Sequence, residues 1–199
     1  MKNYNIHLTK FSSTLYSSMR FFPLFMLYFR GLMVFLRVNA FGGICKSIPR
    51  VDKNFSFKYP PHRGIYIGKK CSFGPNVMIE VPYYAKLKIG DNVSFASNTV
   101  ISSEISINIG DNCLFAEFIS IRDAEHSYQK KMLIKEQELI SDEVIIESDV
   151  WIGRGACVLM GCKISQGSII GANSLIKNKI TKPYAIYVGI PAKEIGMRD

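Results

Sequence analysis

The sequence has few of the features that mark several common protein classes. Its five cysteines, an odd number, form no Cys-x-x-Cys pair, so neither a disulfide framework nor a zinc site of the usual ligand spacing is expected. Reduced thiols favour a cytosolic compartment instead. Only 21% of the 199 residues are charged while 48% are hydrophobic, so the chain can bury a sizeable core and is not wholly disordered.

Motifs of several enzyme classes are also absent. The sequence contains no Gly-x-Ser-x-Gly elbow and no phosphate-binding loop. Of its three histidines, His7 and His62 are expected at the surface, and only His62 and His126 lie in or near the repeats described below. A catalytic zinc site of the three-histidine type would need a third histidine there, so zinc is disfavoured and no metal is expected.

The charge of the chain is strongly basic. Lys and Arg total 25 against 16 acidic residues, which gives a formal net charge of +9. Such a surplus favours anionic partners, namely nucleic acid, acidic lipid headgroups or a phosphorylated cofactor. The basic residues are dispersed and form no recognised nucleic-acid-binding module, so a nucleic acid partner is not expected.

The segment 15–38 differs in composition from the rest of the chain. It contains an uncharged aromatic run, and Pro23 suits the first turn of a helix that would end near Val38. Sixteen residues would extend about 24 Å, short of the hydrocarbon core of about 30 Å. With Arg30 and Arg37 on one face, this helix could lie in the membrane interface. Alternatively it caps the main domain or packs in an oligomer; a secretory signal is disfavoured.

From Ile65 onward, large apolar residues recur every six positions. The clearest series is Ile146, Ile152, Val158, Ile164, Ile170 and Ile176. Three shorter series precede it: Ile67, Phe73 and Ile79; Ile89, Phe95 and Ile101; and Ile109, Phe115 and Ile121. This period fits neither a helix of about 3.6 residues per turn nor an alternating strand. It fits a coil with straight sides and tight corners, in which these residues point inward.

The predicted main domain is therefore an all-β, parallel β-helix over residues 65–176, preceded by a helical lead-in over residues 1–64. Gly and Asn cluster at its corners, where the backbone must turn. The pattern is absent from residues 122–145, which predicts a protruding loop of the kind that is usually functional. Residues 177–199 form a carboxy-terminal extension. Three cysteines occupy small inward positions: Cys71, Cys113 and Cys162.

His126 is the candidate catalytic residue, because it lies in the predicted loop between Asp123 and a run of polar residues. A neutral histidine is the usual general base near neutral pH. Asp123 or Glu125 could orient its imidazole ring, a hypothesis that rests on proximity in the sequence alone. The alternative is that His126 is a solvent-exposed loop residue without a catalytic role.

Two further segments, Asp149-Val150-Trp151-Ile152-Gly153 and the ending that contains Gly189-Ile190-Pro191-Ala192-Lys193, point to a known family. Together with the hexads, they resemble the left-handed β-helix (hexapeptide-repeat) acyltransferases, and most nearly the maltose, galactoside and colanic acid O-acetyltransferase branch. The resemblance covers residues 65–195. It also implies the left-handed sense of the coil, because ordinary crossover connections are right-handed.

The resemblance implies that acetyl-CoA is the acyl donor and that His126 is the base. It assigns the backbone N–H of Arg154 to the oxyanion. It implies cofactor contacts at five residues: Trp151, Gly153, Ala172, Lys177 and Lys193. The chain departs from the family where a turn commonly reads Thr-Lys-Asp, since that turn here is Lys177-Asn178-Lys179.

The acceptor site departs from the family as well. Some sugar acetyltransferases carry an acceptor-binding Asn at the position of Ala96, and Asn98 lies two residues further on. The candidates for binding the acceptor are Asn98, Arg122 and Tyr128.

The implied function is O-acetylation of a sugar in a surface polysaccharide (capsule, exopolysaccharide or lipopolysaccharide) or its precursor. Two alternatives remain: N-acetylation of a nucleotide-linked amino sugar, and a non-catalytic β-helix scaffold. The resemblance also implies a homotrimer with its active-site grooves between neighbouring subunits. The amino-terminal helix would then tether this cytoplasmic trimer peripherally to the inner membrane.

Overall fold

The computed structural model describes residues 10–198, with side chains from Phe22 onward, so His7 lies outside the described residues. Within this part, the chain forms one α-helix, 22 short strands and one 3₁₀ turn. In chain order they are α1 (Lys10–Ala40), β1 (Ile44–Cys45), β2 (Arg50–Val51), β3 (Ser56–Phe57), β4 (Ile65–Ile67), β5 (Ser72–Phe73), β6 (Met78–Glu80), β7 (Lys86–Ile89), β8 (Ser94–Phe95), β9 (Val100–Ser102), β10 (Ser106–Ile109), β11 (Leu114–Phe115), β12 (Ser120–Arg122), β13 (Ala124–His126), the 3₁₀ turn (Ile134–Glu136), β14 (Leu139–Ser141), β15 (Val144–Ile146), β16 (Trp151–Ile152), β17 (Cys157–Val158), β18 (Lys163–Ile164), β19 (Ile169–Ile170), β20 (Leu175–Ile176), β21 (Ala185–Val188) and β22 (Lys193–Met197).

Three sheets form the faces of a β-solenoid. The first face has the order β1-β4-β7-β10-β15-β18, and the third face has the order β20-β17-β12-β9-β6-β3. The second face has the order β2-β5-β8-β11-β16-β19-β21-β22, in which β21 and β22 pair antiparallel. Elsewhere in these faces, each strand pairs in parallel with its equivalent one coil along. The predicted parallel β-helix is confirmed, with a helix before it.

The six-residue series fills the interior of the solenoid. Phe73, Phe95 and Phe115 stack along the second face with ring centroids 5.5 and 4.5 Å apart, and each is at most 2% exposed. The corners stack so closely that a Cβ on Gly90 would lie 2.3 Å from the carboxylate Oδ1 of Asp111 one coil along. Close stacking at the corners and aromatic stacking inside therefore fix the register of successive coils.

We expect the substitution Phe95→Ala to lower the free energy of unfolding by about 3–5 kcal/mol, because it leaves a cavity between two stacked rings. Ile180→Ala is the control, since Ile180 is also a large apolar residue but is 74% exposed. Chemical denaturation followed by circular dichroism measures both variants. Equal and small losses of unfolding free energy in the two variants would contradict the stacking of Phe95 between two other phenylalanine rings.

The inward cysteines are confirmed: Cys71, Cys113 and Cys162 are each 1% exposed. Burial raises the pKa of Cys71 and of Cys113 to about 11. Cys157 instead lies on the outer side of the third face and is half-buried.

In the folded protein we therefore expect iodoacetamide at mildly alkaline pH to modify Cys157 first, because the buried thiols stay protonated and inaccessible. Mass spectrometry of the native and the denatured protein locates the modified thiols. Rapid labelling of Cys71 or Cys113 without denaturant would contradict the fold.

The solenoid is longer than the predicted span of residues 65–176. Strands β1, β2 and β3 pair in parallel with β4, β5 and β6, so a first coil precedes residue 65. Its inward positions are Cys45, Val51 and Phe57, and only one of them is aliphatic, which hid the hexad. At the other end, β21 pairs in parallel with β19, so the coil path continues beyond Ile176.

Helix α1 is also longer than predicted. It begins at Lys10, and Pro23 lies inside it and not in its first turn. At 31 residues it extends about 46 Å. Its segment Phe22–Ala40 is long and apolar enough to cross a membrane by length and composition, with 17% of it buried.

The carboxy-terminal half of α1 covers the open end of the first coil. Val34 and Val38 are 7% and 0% exposed, and a Cβ on Gly31 would lie 1.9 Å from the carbonyl oxygen of Pro49. Arg30 pairs with Asp52 at 3.9 Å. The helix also exposes large apolar side chains: Phe22, Leu24, Phe25, Tyr28, Phe29, Met33 and Leu36. Their exposed fractions run from 48% to 67%, so one face of α1 is packed and another is bare.

Candidate active site

The predicted loop leaves the solenoid at the corner between the third and first faces. It begins after β12 and returns at β15, and its strands β13 and β14 pair as a short antiparallel ribbon. In this ribbon His126 lies opposite Leu139, with its side chain exposed. The loop therefore holds His126 on a hydrogen-bonded strand, which positions it more firmly than a free loop would.

His126 faces a cleft of about 300 Å³ between the ribbon and the corner of the solenoid. The polar residues that line this cleft with it include Lys58, Glu80, Ser102 and Arg122. Lys58 and Glu80 form an ion pair at 3.4 Å, and the Ser102 hydroxyl donates to Glu80 at 2.9 Å. The cleft thus presents a base candidate beside charged and hydroxyl groups that can hydrogen-bond a polyhydroxylated acceptor.

Asp123 does not orient His126, contrary to the first of the two proximity hypotheses. It is 0% exposed, and its carboxylate accepts hydrogen bonds from the Ser103 hydroxyl and from the backbone N–H groups of Glu104, Ile105 and Ser106. Asp123 lies in the bend between β12 and β13, where its buried side chain is directed into the solenoid. Its role is to hold the turn of the preceding coil.

Glu125 forms an ion pair with Lys177. This differs from the expected contacts, which were with the His126 ring for Glu125 and with the cofactor for Lys177. Hydrogen bonding to Glu125 raises the pKa of Lys177. Among the described hydrogen bonds none joins Glu125 to His126, and the expected cofactor contact of Lys177 would require this ion pair to open. The pair ties the ribbon to the end of β20, two coils beyond β12.

His62 was expected at the surface but is buried, with 4% of its surface exposed. Its Nδ1 accepts from Gly64 N–H at 3.0 Å, and its Nε2–H donates to the Val81 carbonyl at 3.1 Å. Both ring nitrogens are therefore used in holding the backbone before β4 and after β6. Sequence reasoning missed this because the partners lie in different coils.

A second group of predicted residues lies at another corner, between the second and third faces. Trp151 is 47% exposed on β16, and Gly153 follows it at the corner. A Cβ on Gly153 would lie 2.7 Å from the amide nitrogen of Ala172, so these two residues belong to touching coils. Trp151, Gly153, Arg154 and Ala172 are thus brought together, but none of them lines the His126 cleft.

The backbone N–H of Arg154 is available for an oxyanion. Among the hydrogen bonds of residues 10–198, it donates to no protein acceptor, whereas the neighbouring N–H of Gly155 donates to Glu117 at 2.8 Å. The Arg154 guanidinium lies 5.3 Å from the ring centroid of Phe118. Phe118 has a φ of +59°, the left-handed conformation that Asn76 and Asn98 also adopt at the same corner in the preceding coils.

The remaining predicted residues are placed as follows. Asn98 lies at the same corner as Arg154, where its side-chain oxygen accepts from the Asn76 amide at 2.9 Å. Tyr128 is 74% exposed in the loop, outside the residues that line the His126 cleft. Lys193 is exposed at the start of β22, opposite Val188. Only Arg122 of the three acceptor candidates lies beside His126.

Sequence reasoning missed Lys58, Glu80 and Ser102 as cleft residues. Glu80 is opposite Ser102 in the register of the third face, and Ser102 is opposite Arg122. All three follow an inward hexad residue directly, so the same position in successive coils gives one ladder of polar side chains. This regular position in the hexad was the signal in the sequence that could have identified the three residues, because it lies at the corner that holds His126.

Comparison with known proteins finds similar acetyltransferases. No family model matches the chain. A probable acetyltransferase of Mycobacterium tuberculosis is 36% identical over 67% of this chain and 44% of its own length. The galactoside O-acetyltransferase of Escherichia coli is 31% identical over 65% of this chain and 66% of its own length. The chain thus spans less than two thirds of either relative.

Solved structures resemble the solenoid. A hexapeptide-repeat acetyltransferase of Vibrio cholerae O1 biovar eltor, solved with acetyl coenzyme A, has a TM-score of 0.61 and 28% identity, covering 67% of this chain and 72% of its own. An N-acyltransferase of Bacillus cereus, solved with dTDP and 3-hydroxybutyryl-CoA, has a TM-score of 0.66 and 21% identity, covering 76% of this chain and 80% of its own. At that identity the second likeness concerns the fold alone.

The hexads, the three-faced solenoid with its loop histidine and the similarity to these enzymes agree with one another. In sequence and in fold the chain is similar to hexapeptide-repeat acetyltransferases.

Proposed function

We propose that the chain transfers an acetyl group from acetyl-CoA to a sugar hydroxyl of a surface polysaccharide or its precursor. The observation that carries this proposal is the exposed imidazole of His126 in a cleft lined by Lys58, Glu80, Ser102 and Arg122. A sugar offers many hydroxyls at close spacing, and these side chains supply both donors and acceptors for them. The similarity to a galactoside O-acetyltransferase supports the same reaction.

In this mechanism His126 accepts the proton of the acceptor hydroxyl as its oxygen attacks the thioester carbonyl carbon. The new C–O bond forms, the C–S bond breaks, and the imidazolium returns the proton to the CoA thiolate. General-base help of this kind is worth about 10²–10⁴-fold. The free N–H of Arg154 would stabilise the oxyanion, which is worth about 10²–10³-fold.

The two halves of this machinery lie at different corners of one chain. His126 is at the end of the third face, and Trp151 with Arg154 is at its beginning. A homotrimer would bring the His126 corner of one subunit against the Trp151 corner of its neighbour and so complete each site. The exposed apolar residues Leu114 and Phe118 beside Trp151 support contact with a second copy here, since they are 52% and 54% exposed.

The purified protein, incubated with radiolabelled acetyl-CoA and glycan from cells that lack the chain, should yield labelled glycan. Glycan from cells that carry the chain, already acetylated, is the control acceptor. Release of the label by mild alkali indicates an ester and therefore a hydroxyl acceptor. Label that resists alkali would instead support an amino-sugar acceptor, and the absence of labelling would support a scaffold without activity.

We propose that the protein binds peripherally to the cytoplasmic face of the inner membrane. The exposed apolar face of α1 supports this location. Phe25 and Phe29 are 53% and 48% exposed, and Tyr28 lies in a hollow with Arg50 and Lys70. Apolar side chains flanked by cations suit the interface of an anionic bilayer. Because the carboxy-terminal half of α1 covers the first coil, the helix would lie on the membrane without crossing it.

We expect the protein to float with phosphatidylglycerol-containing vesicles and the double variant Phe25→Glu, Phe29→Glu to lose this binding. Two buried acidic charges in the interface oppose the apolar contact. The control is Leu133→Glu, because Leu133 is 60% exposed but lies in the loop. Unchanged flotation of the double variant, or a changed oligomeric state without vesicle binding, would contradict the membrane proposal.

A further inference from the structure

A second concave surface lies on the first face, outside the His126 cleft. Its volume is about 750 Å³, within the range of about 300–1,000 Å³ typical of ligand sites. Three tyrosines line it: Tyr66, Tyr83 and Tyr84. We call this surface the tyrosine groove; its floor is formed by strands of three successive coils, β4, β7 and β10.

Tyr83 and Tyr84 are unusual because their large aromatic side chains are mostly exposed to solvent. They lie in the segment that connects β6 to β7, and their side chains are 68% and 69% exposed. Tyr83 is held in place by the buried His62, whose ring centroid is 5.4 Å away, and by the guanidinium of Arg63 at 5.6 Å. Two aromatic rings that are held in place and face solvent can stack against a bound ligand, which would then bury them.

The tyrosine groove is also basic. Arg63, Lys86 and Lys88 line it, and no carboxylate does so among the described lining residues. Lys46 lies 5.9 Å from the ring centroid of Tyr66 and adds a further cation at its edge. Cations without facing carboxylates select an acidic ligand.

The groove connects with the His126 cleft around one corner. The Tyr84 hydroxyl, which lines the groove, donates to the carboxylate of Glu104, which lines the cleft. Pro82 of the cleft is followed directly by Tyr83 of the groove. A ligand chain that enters the cleft at His126 can therefore continue across the Tyr84–Glu104 hydrogen bond onto the first face.

We propose that the tyrosine groove binds an acidic segment of a glycan chain whose acetylated sugar occupies the His126 cleft. Sugar rings would stack on Tyr83 and Tyr84, and carboxylate or phosphate groups of the chain would pair with Lys86 and Lys88. Ser106 and Asn108 supply hydrogen-bonding groups for sugar hydroxyls. This inference rests on the proposed function for the catalytic end, and it narrows the acceptor to an anionic oligomer or polymer.

Direct binding tests the groove without requiring turnover. Titration calorimetry with oligogalacturonate, an acidic oligosaccharide, is compared with a malto-oligosaccharide of equal length. We expect the acidic ligand to bind more tightly, with an affinity that falls as salt rises.

Three variants locate the site. Lys86→Gln combined with Lys88→Gln should weaken binding about tenfold, as should Tyr83→Ala. Lys130→Gln combined with Lys131→Gln removes the same charge from the exposed loop and should leave binding unchanged. Tyr84→Phe keeps the ring but removes the hydrogen bond to Glu104, so it should affect transfer to long acceptors more than binding.

The two proposals can fail separately. Equal affinity for the acidic and neutral oligosaccharides, or equal weakening by the groove and loop double variants, would overturn the groove assignment even if the protein acetylates a monosaccharide. Salt-sensitive binding that depends on Tyr83, in a protein that transfers no acetyl group, would retain the groove and refute the enzymatic function.

Discussion

The substitution His126→Ala should lower kcat for acetyl transfer by about 10²–10⁴-fold, because it removes the proposed general base. KM for acetyl-CoA should change little, since three of the cofactor residues implied by the resemblance, Trp151, Gly153 and Ala172, lie at the other corner. Steady-state kinetics with the acceptor at saturation separates the two parameters. This is the largest effect that we expect on activity.

Lys131→Ala is the control for the His126 experiment, because Lys131 is an exposed residue of the same loop. It should leave both parameters near those of the wild type. An equal loss of kcat and of CoA affinity in His126→Ala would argue for a disturbed cofactor site and against a base. Full activity of the His126→Ala variant would instead show that His126 is a solvent-exposed loop residue without a catalytic role, the alternative that the sequence allowed.

Asp123→Ala should lower the free energy of unfolding by about 3–5 kcal/mol. It leaves one hydroxyl and three backbone N–H groups without their buried acceptor, and each such group costs about 1–3 kcal/mol before the structure relaxes. Asp123→Asn should cost less, because one side-chain oxygen remains. Thermal and chemical denaturation measure both variants.

The same pair of variants distinguishes a structural role of Asp123 from an orienting one. A structural role predicts that Asp123→Asn, once folded below its melting temperature, retains kcat within about tenfold. A stable Asp123→Asn variant with kcat reduced as far as in His126→Ala would show that the carboxylate acts on the imidazole after all. Asn112→Ala is the comparison for stability and kcat, since Asn112 accepts a hydrogen bond from Asn92 at a different corner and has no proposed role in the reaction.

The repeats made the architecture predictable, because a fixed six-residue period has only one simple packing solution. Cys71 and Cys113 could be placed inside for that reason. The first coil escaped notice because Cys45 and Phe57 replace aliphatic residues at two of its three inward positions. The start of α1 was wrong because Pro23, although suited to a first turn, is accommodated inside the helix.

The candidate site was predictable only in part. His126 and Arg122 could be located from the loop, but the partners of Asp123 and Glu125 could not. The bend between β12 and β13 turns Asp123 inward, and Lys177 reaches Glu125 from 52 positions further along the chain. Neighbours in the sequence therefore gave the wrong partners for both residues. Equivalent positions in successive coils would have indicated Ser103 for Asp123, but Lys177 is equivalent to Arg122 and could not have been found in this way.

The most direct test of the central claim is a crystal structure of the protein with CoA and an acceptor oligosaccharide. The account predicts the CoA sulfur and one acceptor hydroxyl in the cleft beside His126, with the reacting atoms about 3–3.5 Å apart and Arg154 N–H of a neighbouring copy directed at the thioester position. CoA bound away from His126, or a cleft that stays closed to both ligands, would contradict it.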